Sequence, residues 1–193
     1  MASRPTKSRI PNTRQLFAQV KRAANDAVIE AVGEFAEEQT DDFRRRIERQ
    51  VFPDFRRIYY PESGTNLSPK WLARKQKKGA DSRTLIATGH YKNSIRVWRR
   101  LRPRRRGADF RIGFHPRIQA RNLDNERVPI LLKDVAMIHE YGSVSGKIPR
   151  RSHWRPHLTL MRQRAVGERP KIRRAVLRKI RSVVGDRMKV KVL

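Results

Sequence analysis

The stretch IRVWRRLRPRRRGADFRIGF, Ile95 to Phe114, decides how the chain is read. Ile95, Val97, Arg99 and Leu101 alternate with Arg96, Trp98 and Arg100. Beyond Arg-Pro-Arg-Arg-Arg-Gly, the residues Ala108, Phe110, Ile112 and Phe114 alternate with Asp109, Arg111 and Gly113. Two period-2 runs joined by a turn predict a β-hairpin with a basic tip. Ile95, Val97, Phe110, Ile112 and Phe114 make one face apolar, and a one-sided sheet needs a cover.

The cover lies upstream. From Asn12 or Thr13, either of which can cap a helix, Leu16, Val20, Ala23, Ala27, Ala31 and Phe35 recur every three or four residues, the signature of a long amphipathic helix. It continues through Phe43, Ile47 and Val51 and has to stop near Pro53. The expected class is therefore α+β: a long N-terminal helix and further helices packed on a small antiparallel sheet. The same helix carries Asp26, Glu30, Glu34, Glu37, Glu38, Asp41, Asp42 and Glu48, eight of the chain's 18 carboxylates. Asp41 with Arg45 and Asp42 with Arg46 have the i,i+4 spacing that supports a helix by roughly 0.2 to 0.5 kcal/mol a pair.

Between helix and hairpin, PDFRRIYYPESGTN (53–66) reads as a loop. SPKWLARKQKK (68–78) reads as a short helix opened by Ser68-Pro69, stopped by Gly79 and pinned to the core by Trp71 and Leu72. Downstream, Pro116 to Pro129 shows no periodicity and is read as a loop. Asp134 to Leu158, DVAMIHEYGSVSGKIPRRSHWRPHL, reads as a turn of helix ending at Glu140, Tyr141 and Gly142, a mobile Ser143–Gly146 loop and an Arg-lined segment. Glu168 and Pro170 announce a last helix with an apolar stripe of Ile172, Val176, Ile180, Val183 and Val184 and a stop at Gly185. The tail RMKVKVL has the pattern of a terminal strand. Three regions follow: a basic arm over 1–11, an α+β core over 12–165, and a basic C-terminal helix and tail over 166–193.

Composition limits the partners. The 193 residues contain 47 Lys and Arg against 18 Asp and Glu, a formal charge of +29, so the surface calls for a polyanion or an acidic protein. Without cysteine there is no disulfide framework and no thiolate metal site, which points to an intracellular product. No apolar run is long enough for a membrane span, and the N-terminus lacks a signal-peptide core. The C-terminal helix has the basic amphipathic pattern of membrane-surface segments, but its narrow aliphatic stripe lacks Trp or Phe and fits packing on the core better.

The search for chemistry returns little. His139, His153 and His157 with Glu140 invite a metal reading, yet no HExxH pattern is present, and Pro156 opposes placing His153 and His157 on one helical face. There is no GxSxG elbow and no phosphate-binding glycine loop. No enzymatic activity and no cofactor are expected. Arginine outnumbers lysine in the basic runs, which suits bidentate contact with phosphate or carboxylate. With few aromatics for stacking, contact with DNA would be through the backbone and without sequence readout.

The order of motifs resembles the virion-morphogenesis proteins of tailed bacteriophages, the neck and tail-completion group. That family runs approximately Leu-x-x-Thr-Gly-x-Leu-x-x-Ser-Ile, later Ile-His-Glu-Phe-Gly, then Ile-Pro-Ala-Arg-Pro-Phe-Leu. Leu85, Thr88, Gly89, Ser94 and Ile95 match the first part, with Tyr91 in place of Leu. Ile138, His139, Glu140, Gly142, Ile148, Pro149 and Arg151 match the rest, with Tyr141 in place of Phe. Arg150 replaces a small residue, and Ser152, His153 and Trp154 stand where Pro-Phe is usual. The match spans Leu85 to Leu158.

The resemblance implies a structural protein of the virion neck, made in the host cytoplasm. It would form a homo-oligomeric ring, commonly sixfold, that joins connector or head-completion proteins to tail-terminator or tail proteins. Ile138, His139, Glu140, Tyr141 and Gly142, with Ile148, Pro149, Arg150, Arg151 and Trp154, would shape the subunit or connector contact. Arg96, Arg99, Arg100, Arg102, Arg104, Arg105 and Arg106 would face genomic DNA or an acidic partner. The alternative is a nucleic-acid-binding protein in which the same arginines neutralise phosphates.

Overall fold

A computed structural model describes residues 13–102 and 107–189. The N-terminal arm, the hairpin tip with Arg104, Arg105 and Arg106, and the last four residues of the tail lie outside the described residues. The chain is mixed α+β, with a long N-terminal helix, further helices and two small antiparallel sheets.

Helix α1, Thr13–Glu48, has 36 residues, about 54 Å at 1.5 Å per residue. Its burial is graded along its length. Phe17 near the start is 71% exposed, whereas Phe43 and Ile47 near the end are fully buried. The C-terminal third of α1 therefore carries its contribution to the main core; ahead of it only Ala27 and Ala36 are buried, and that part is a stem. Asp42 pairs with Arg46 at 2.8 Å as its spacing predicts, but Asp41 pairs with Arg44, one residue nearer than Arg45. The Arg44 guanidinium also reaches the Ile95 carbonyl, tying α1 to the start of the hairpin.

The expected hairpin forms. Strand β1, Arg96–Arg102, pairs with β2, Gly107–Gly113, setting Val97 opposite Ile112 and Arg99 opposite Phe110. It lies on α1. The point of closest approach is Gly33, where an added Cβ would sit 3.1 Å from Phe110 Cε1. A glycine inside a helix costs about 1 kcal/mol relative to alanine, and here it admits the Phe110 ring.

Short helices fill the gap between α1 and the hairpin: α2, Pro53–Arg56; α3, Pro69–Lys77; and α4, His90–Asn93. Gly79 closes α3 with φ +61. The anchoring of α3 differs from expectation. Trp71 is 38% exposed, and the buried residue is Lys75, whose Nζ donates to the carbonyls of Asp81 and Arg83 at 2.9 and 2.7 Å. Four methylenes let a lysine stem cross apolar surface while its ammonium finds carbonyls.

The segment read as a loop holds a second hairpin. Strand β3, Gln119–Arg121, pairs with β4, Arg127–Leu131. Three residues are too few to show an alternation, and Pro129 disguises β4, although proline is tolerated on an edge strand. The Asn122 side chain builds the turn: its Oδ1 accepts from the N–H groups of Asp124 and Glu126, and Asn125 takes φ +64.

Helix α5, Leu132–Tyr141, leads to the main departure from the sequence reading. Helix α6 spans Trp154–Lys189, so it begins well before Glu168 and passes the expected stop at Gly185. The boundary drawn at 165/166 falls inside it, and residues 187–189 are helical, not a strand. Pro156 lies in the first turn, where the N–H it lacks has no intrahelical acceptor anyway. Pro170 is on an exposed face, so the carbonyl it strips of a donor, that of the exposed Val166, is open to water.

Helices α1 and α6 run antiparallel, since Gln39 and Asp42 meet Arg164 while Ala31 and Phe35 face Ile172 and Ala175. The core gathers where α1 ends and α6 begins. Phe43 meets Phe52 and Trp154 edge-on at 5.9 and 4.5 Å and stacks on His157 at 4.3 Å. Around it lie Ile47, Phe55, Ile86, Tyr91, Ile95 and Leu132. No helix among the described residues is long and apolar enough to cross a membrane.

Candidate assembly surface around the α5–α6 junction

Two helix ends meet at Glu140. Its carboxylate, 5% exposed, accepts from the Ser152 hydroxyl at 2.6 Å, from the N–H groups of His153 and Trp154 at 3.0 Å each, and from Arg155 N–H at 3.2 Å. These are the orphan donors at the start of α6, and the negative charge sits at the positive end of the helix dipole. Burial alone would raise the Glu140 carboxyl, but its four hydrogen bonds outweigh that and hold it below the ordinary range. Glu140 is therefore a capping residue supplied by one helix to another.

His153 extends the junction. Its Nδ1 lies 3.0 Å from the Arg151 carbonyl and must carry the proton, because a carbonyl only accepts. In the neutral ring Nε2 is then an acceptor, so the Tyr91 hydroxyl, 2.6 Å away, donates to it. Tyr91 in turn accepts from Trp154 Nε1 at 3.1 Å. This chain of bonds joins α4 to α6 through the core. Contrary to the expectation from Pro156, His153 and His157 both stack on Phe43 and both are buried. No group of three His, Cys, Asp or Glu among the described residues is placed to hold a metal ion.

Between the helices the chain is held more firmly than its Ser/Gly composition suggests. Ser143 N–H donates to the Ile148 carbonyl at 2.9 Å and Ile148 N–H to Ser143 Oγ at 2.8 Å, closing the loop at its base. Tyr59 and Tyr60 donate their hydroxyls to the carbonyls of Arg150 and Lys147, and Arg151 N–H donates to the His139 carbonyl at 2.6 Å. Only the tip stands free, with Val144 fully exposed. Gly142 caps α5 at φ +87 and ψ 165, a region reserved for glycine, and a Cβ there would lie 3.3 Å from the Ile148 carbonyl oxygen. Gly142→Val is expected to cost about 2 to 3 kcal/mol; a urea midpoint equal to that of the wild type would show that the turn is not constrained.

The ten residues expected to form a contact surface divide into two sets. Glu140 and Arg151 are buried; Arg151 donates to the Asn66 carbonyl and lies over the Tyr59 ring. His139 keeps Nδ1 buried, Trp154 packs on the core, and Ile138, Gly142 and Pro149 are half-buried. Tyr141, Ile148 and Arg150 are exposed, with Arg155 over the Tyr141 ring at 5.2 Å. Residues not picked from the sequence complete the exposed set. Met137 and Leu158 flank a shallow cleft of about 440 Å³ together with Tyr141 and Trp154. Met137 and Tyr141 share a face at i,i+4, a signal the sequence did contain. On the hairpin Arg96, Arg99 and Arg100 are exposed; the side chain of Arg102 and all of Arg104, Arg105 and Arg106 lie outside the described residues.

The fold and this surface define an α+β chain with an antiparallel helix stem and a capped two-helix junction. No protein-family model matches the chain, and no curated protein or solved structure does either.

Proposed function

We propose that the protein is a structural component of a tailed-phage virion that assembles into a homo-oligomeric ring at the head–tail junction, joining the connector to the tail. One observation carries the reading: two exposed surfaces of opposite charge on one stem. Asp26, Glu30, Glu34, Glu37 and Glu38 are exposed on α1, and Lys171, Arg173, Arg174, Arg178 and Arg181 are exposed on α6. Glu34 and Glu38 already face Lys171, Arg174, Arg178 and Arg181 across a cleft of the same chain, which leaves Asp26, Glu30 and Glu37 on one helix and Arg173 on the other for the two complementary patches that a head-to-tail ring requires. Phe17, Val166 and Leu177, exposed on the same stem, add apolar area for a neighbour to cover.

The motif resemblance supports the same reading, and so do its departures. Tyr91, His153 and Trp154, three of the six residues that differ from the family pattern, are joined through the Tyr91 hydroxyl, so these substitutions form a single internally satisfied unit. Connector, head-completion, tail-terminator or tail proteins would then meet Met137, Tyr141, Ile148 and Arg150.

Light scattering of the purified protein at low salt is expected to give a multiple of the subunit mass, falling toward one subunit as salt screens the stem charges. Monomers at every salt concentration, with no complex on adding connector protein, would sink the assembly reading. A second reading, contact with nucleic acid, is favoured by Arg96, Trp98, Arg100 and Arg111 on the hairpin surface. It requires duplex affinity to fall steeply with salt, at about 0.9 in log–log slope per phosphate neutralised. A flat dependence excludes it.

A further inference from the structure

A half-open cavity of about 480 Å³ lies between α3, α5 and the loop ahead of α4. Its lining includes Lys75, Arg121, His139, Lys147 and Arg151 and contains no aspartate or glutamate. In a chain with 18 carboxylates, this leaves the pocket with one sign of charge only.

Two of those cations are buried, Lys75 at 2% and Arg151 at 4% exposure. Their hydrogen bonding is incomplete. Lys75 donates to two carbonyls and has a third proton to give. Arg151 Nε and His139 Nδ1 are buried without a partner. Burial pushes the Lys75 ammonium down to about 8; Asp81 opposes the shift and Arg151 adds to it. Asp81 does not relieve the pocket, because its carboxylate is held by Arg83 at 2.9 and 3.0 Å. A buried donor without an acceptor, as Arg151 Nε–H is, costs about 1 to 3 kcal/mol, and an anion would satisfy it together with the third Lys75 proton and with His139 in the tautomer that carries its proton on Nδ1.

The remaining wall is apolar, with Trp71, Leu85, Leu132 and Val135. Leu85 holds φ +63, a conformation that costs a β-substituted residue roughly 1 to 2 kcal/mol and that tends to persist at ligand-binding positions. Trp71 is left partly exposed where a core anchor would be covered, which suits a stacking wall.

We propose that this cavity binds a small organic carboxylate, its anionic group seated among Lys75, His139 and Arg151 and its apolar body against Trp71 and Leu85. The inference does not depend on the assembly reading, since every residue it uses comes from one chain.

The three tryptophans make the test local: Trp71 lines the cavity, Trp98 is on the hairpin and Trp154 packs on the core. Their indole N–H resonances are followed in the full-length protein at constant ionic strength, with Trp71→Phe for assignment. Phenylacetate is expected to move the Trp71 signal saturably. Phenylacetamide, the same shape without charge, is expected to bind at least about tenfold more weakly. Lys75→Met is expected to lose the phenylacetate response; if that variant fails to fold, the acid–amide comparison on the wild type still decides. A stationary Trp71 signal overturns the proposal, as does equal binding of the amide, or a response at Trp98 in place of Trp71.

Discussion

Lowering the pH from 7 to about 4 is expected to destabilise the protein by several kcal/mol, through histidines that fold uncharged. His153 and His157 are fully buried, and each is pushed from 6.5 down to about 4. For His153 burial outweighs the Arg151 carbonyl and the Glu140 carboxylate, which favour the charged form. For His157 burial again leads, opposed by Asp42 and assisted by Arg46 and Arg164. His139 is pushed lower still, to about 3, by burial and then by the charges of Arg151, His153 and Lys75.

As pH falls through the ordinary histidine value, the unfolded chain takes up protons that the folded chain refuses. The stability is therefore complete above 6.5 and drains away between 6.5 and 4, by about 1.4 kcal/mol per histidine for each pH unit. Below 4 the folded rings of His153 and His157 protonate too, and their contribution levels off. Protonated His153 would donate its Nε2–H to the Tyr91 oxygen, reversing that bond and leaving the Tyr91 proton without its acceptor. Urea midpoints at half-unit steps from pH 7 to pH 4 measure the effect. A midpoint that stays constant across this range would mean that the rings are solvated in the folded protein.

The second large effect is expected at Glu140. Replacing it with alanine removes the only acceptor that four donors at the start of α6 are seen to share, three of them backbone N–H groups. Stranding those donors in a buried site is expected to cost roughly 3 to 5 kcal/mol. Glu140→Gln keeps one acceptor oxygen and loses the charge, so it falls between alanine and the wild type. The pH dependence separates Glu140 from the histidines. Its folded carboxyl lies below the ordinary range, so its contribution is present above the unfolded carboxylate value and is lost only as pH falls through the depressed one. Chemical unfolding followed by circular dichroism is the measurement. An alanine variant within about 1 kcal/mol of the wild type, the usual loss for an ordinary substitution, would remove Glu140 from its capping role.

These predictions turn on residues whose types were visible in the sequence but whose work was not. Glu140 stood out beside His139 and Tyr141 in a motif that invited an interface reading. Its four donors lie 12 to 15 residues downstream, and only the closure of the loop at Ser143 and Ile148 brings them back. His153 and His157 raised a metal question, and Pro156 opposed placing both on one helical face. Proline is excluded from helix interiors but not from first turns, and the start of α6 was placed too late for that distinction to apply. The burial of Lys75 has no sequence signal, because nothing local shows that the Asp81 and Arg83 carbonyls turn toward it.

What the sequence determined alone is the part of the fold written in periodicity. A 3.6-residue repeat over Leu16 to Ile47 and two period-2 runs flanking the basic turn are enough for α1, the β1–β2 hairpin and their α+β pairing, because each pattern puts its apolar groups on one side. The positive-φ turns at Gly79 and Gly142 were likewise legible from residue type. Tertiary structure decided the rest. The continuous run of α6 through Pro170, the three-residue β3, the inward turn of Arg151 and the acid-free cavity at Lys75 all depend on donors, acceptors and apolar surface brought from distant segments. Buried polar groups take their partners from wherever the chain folds back, and no local pattern records that choice.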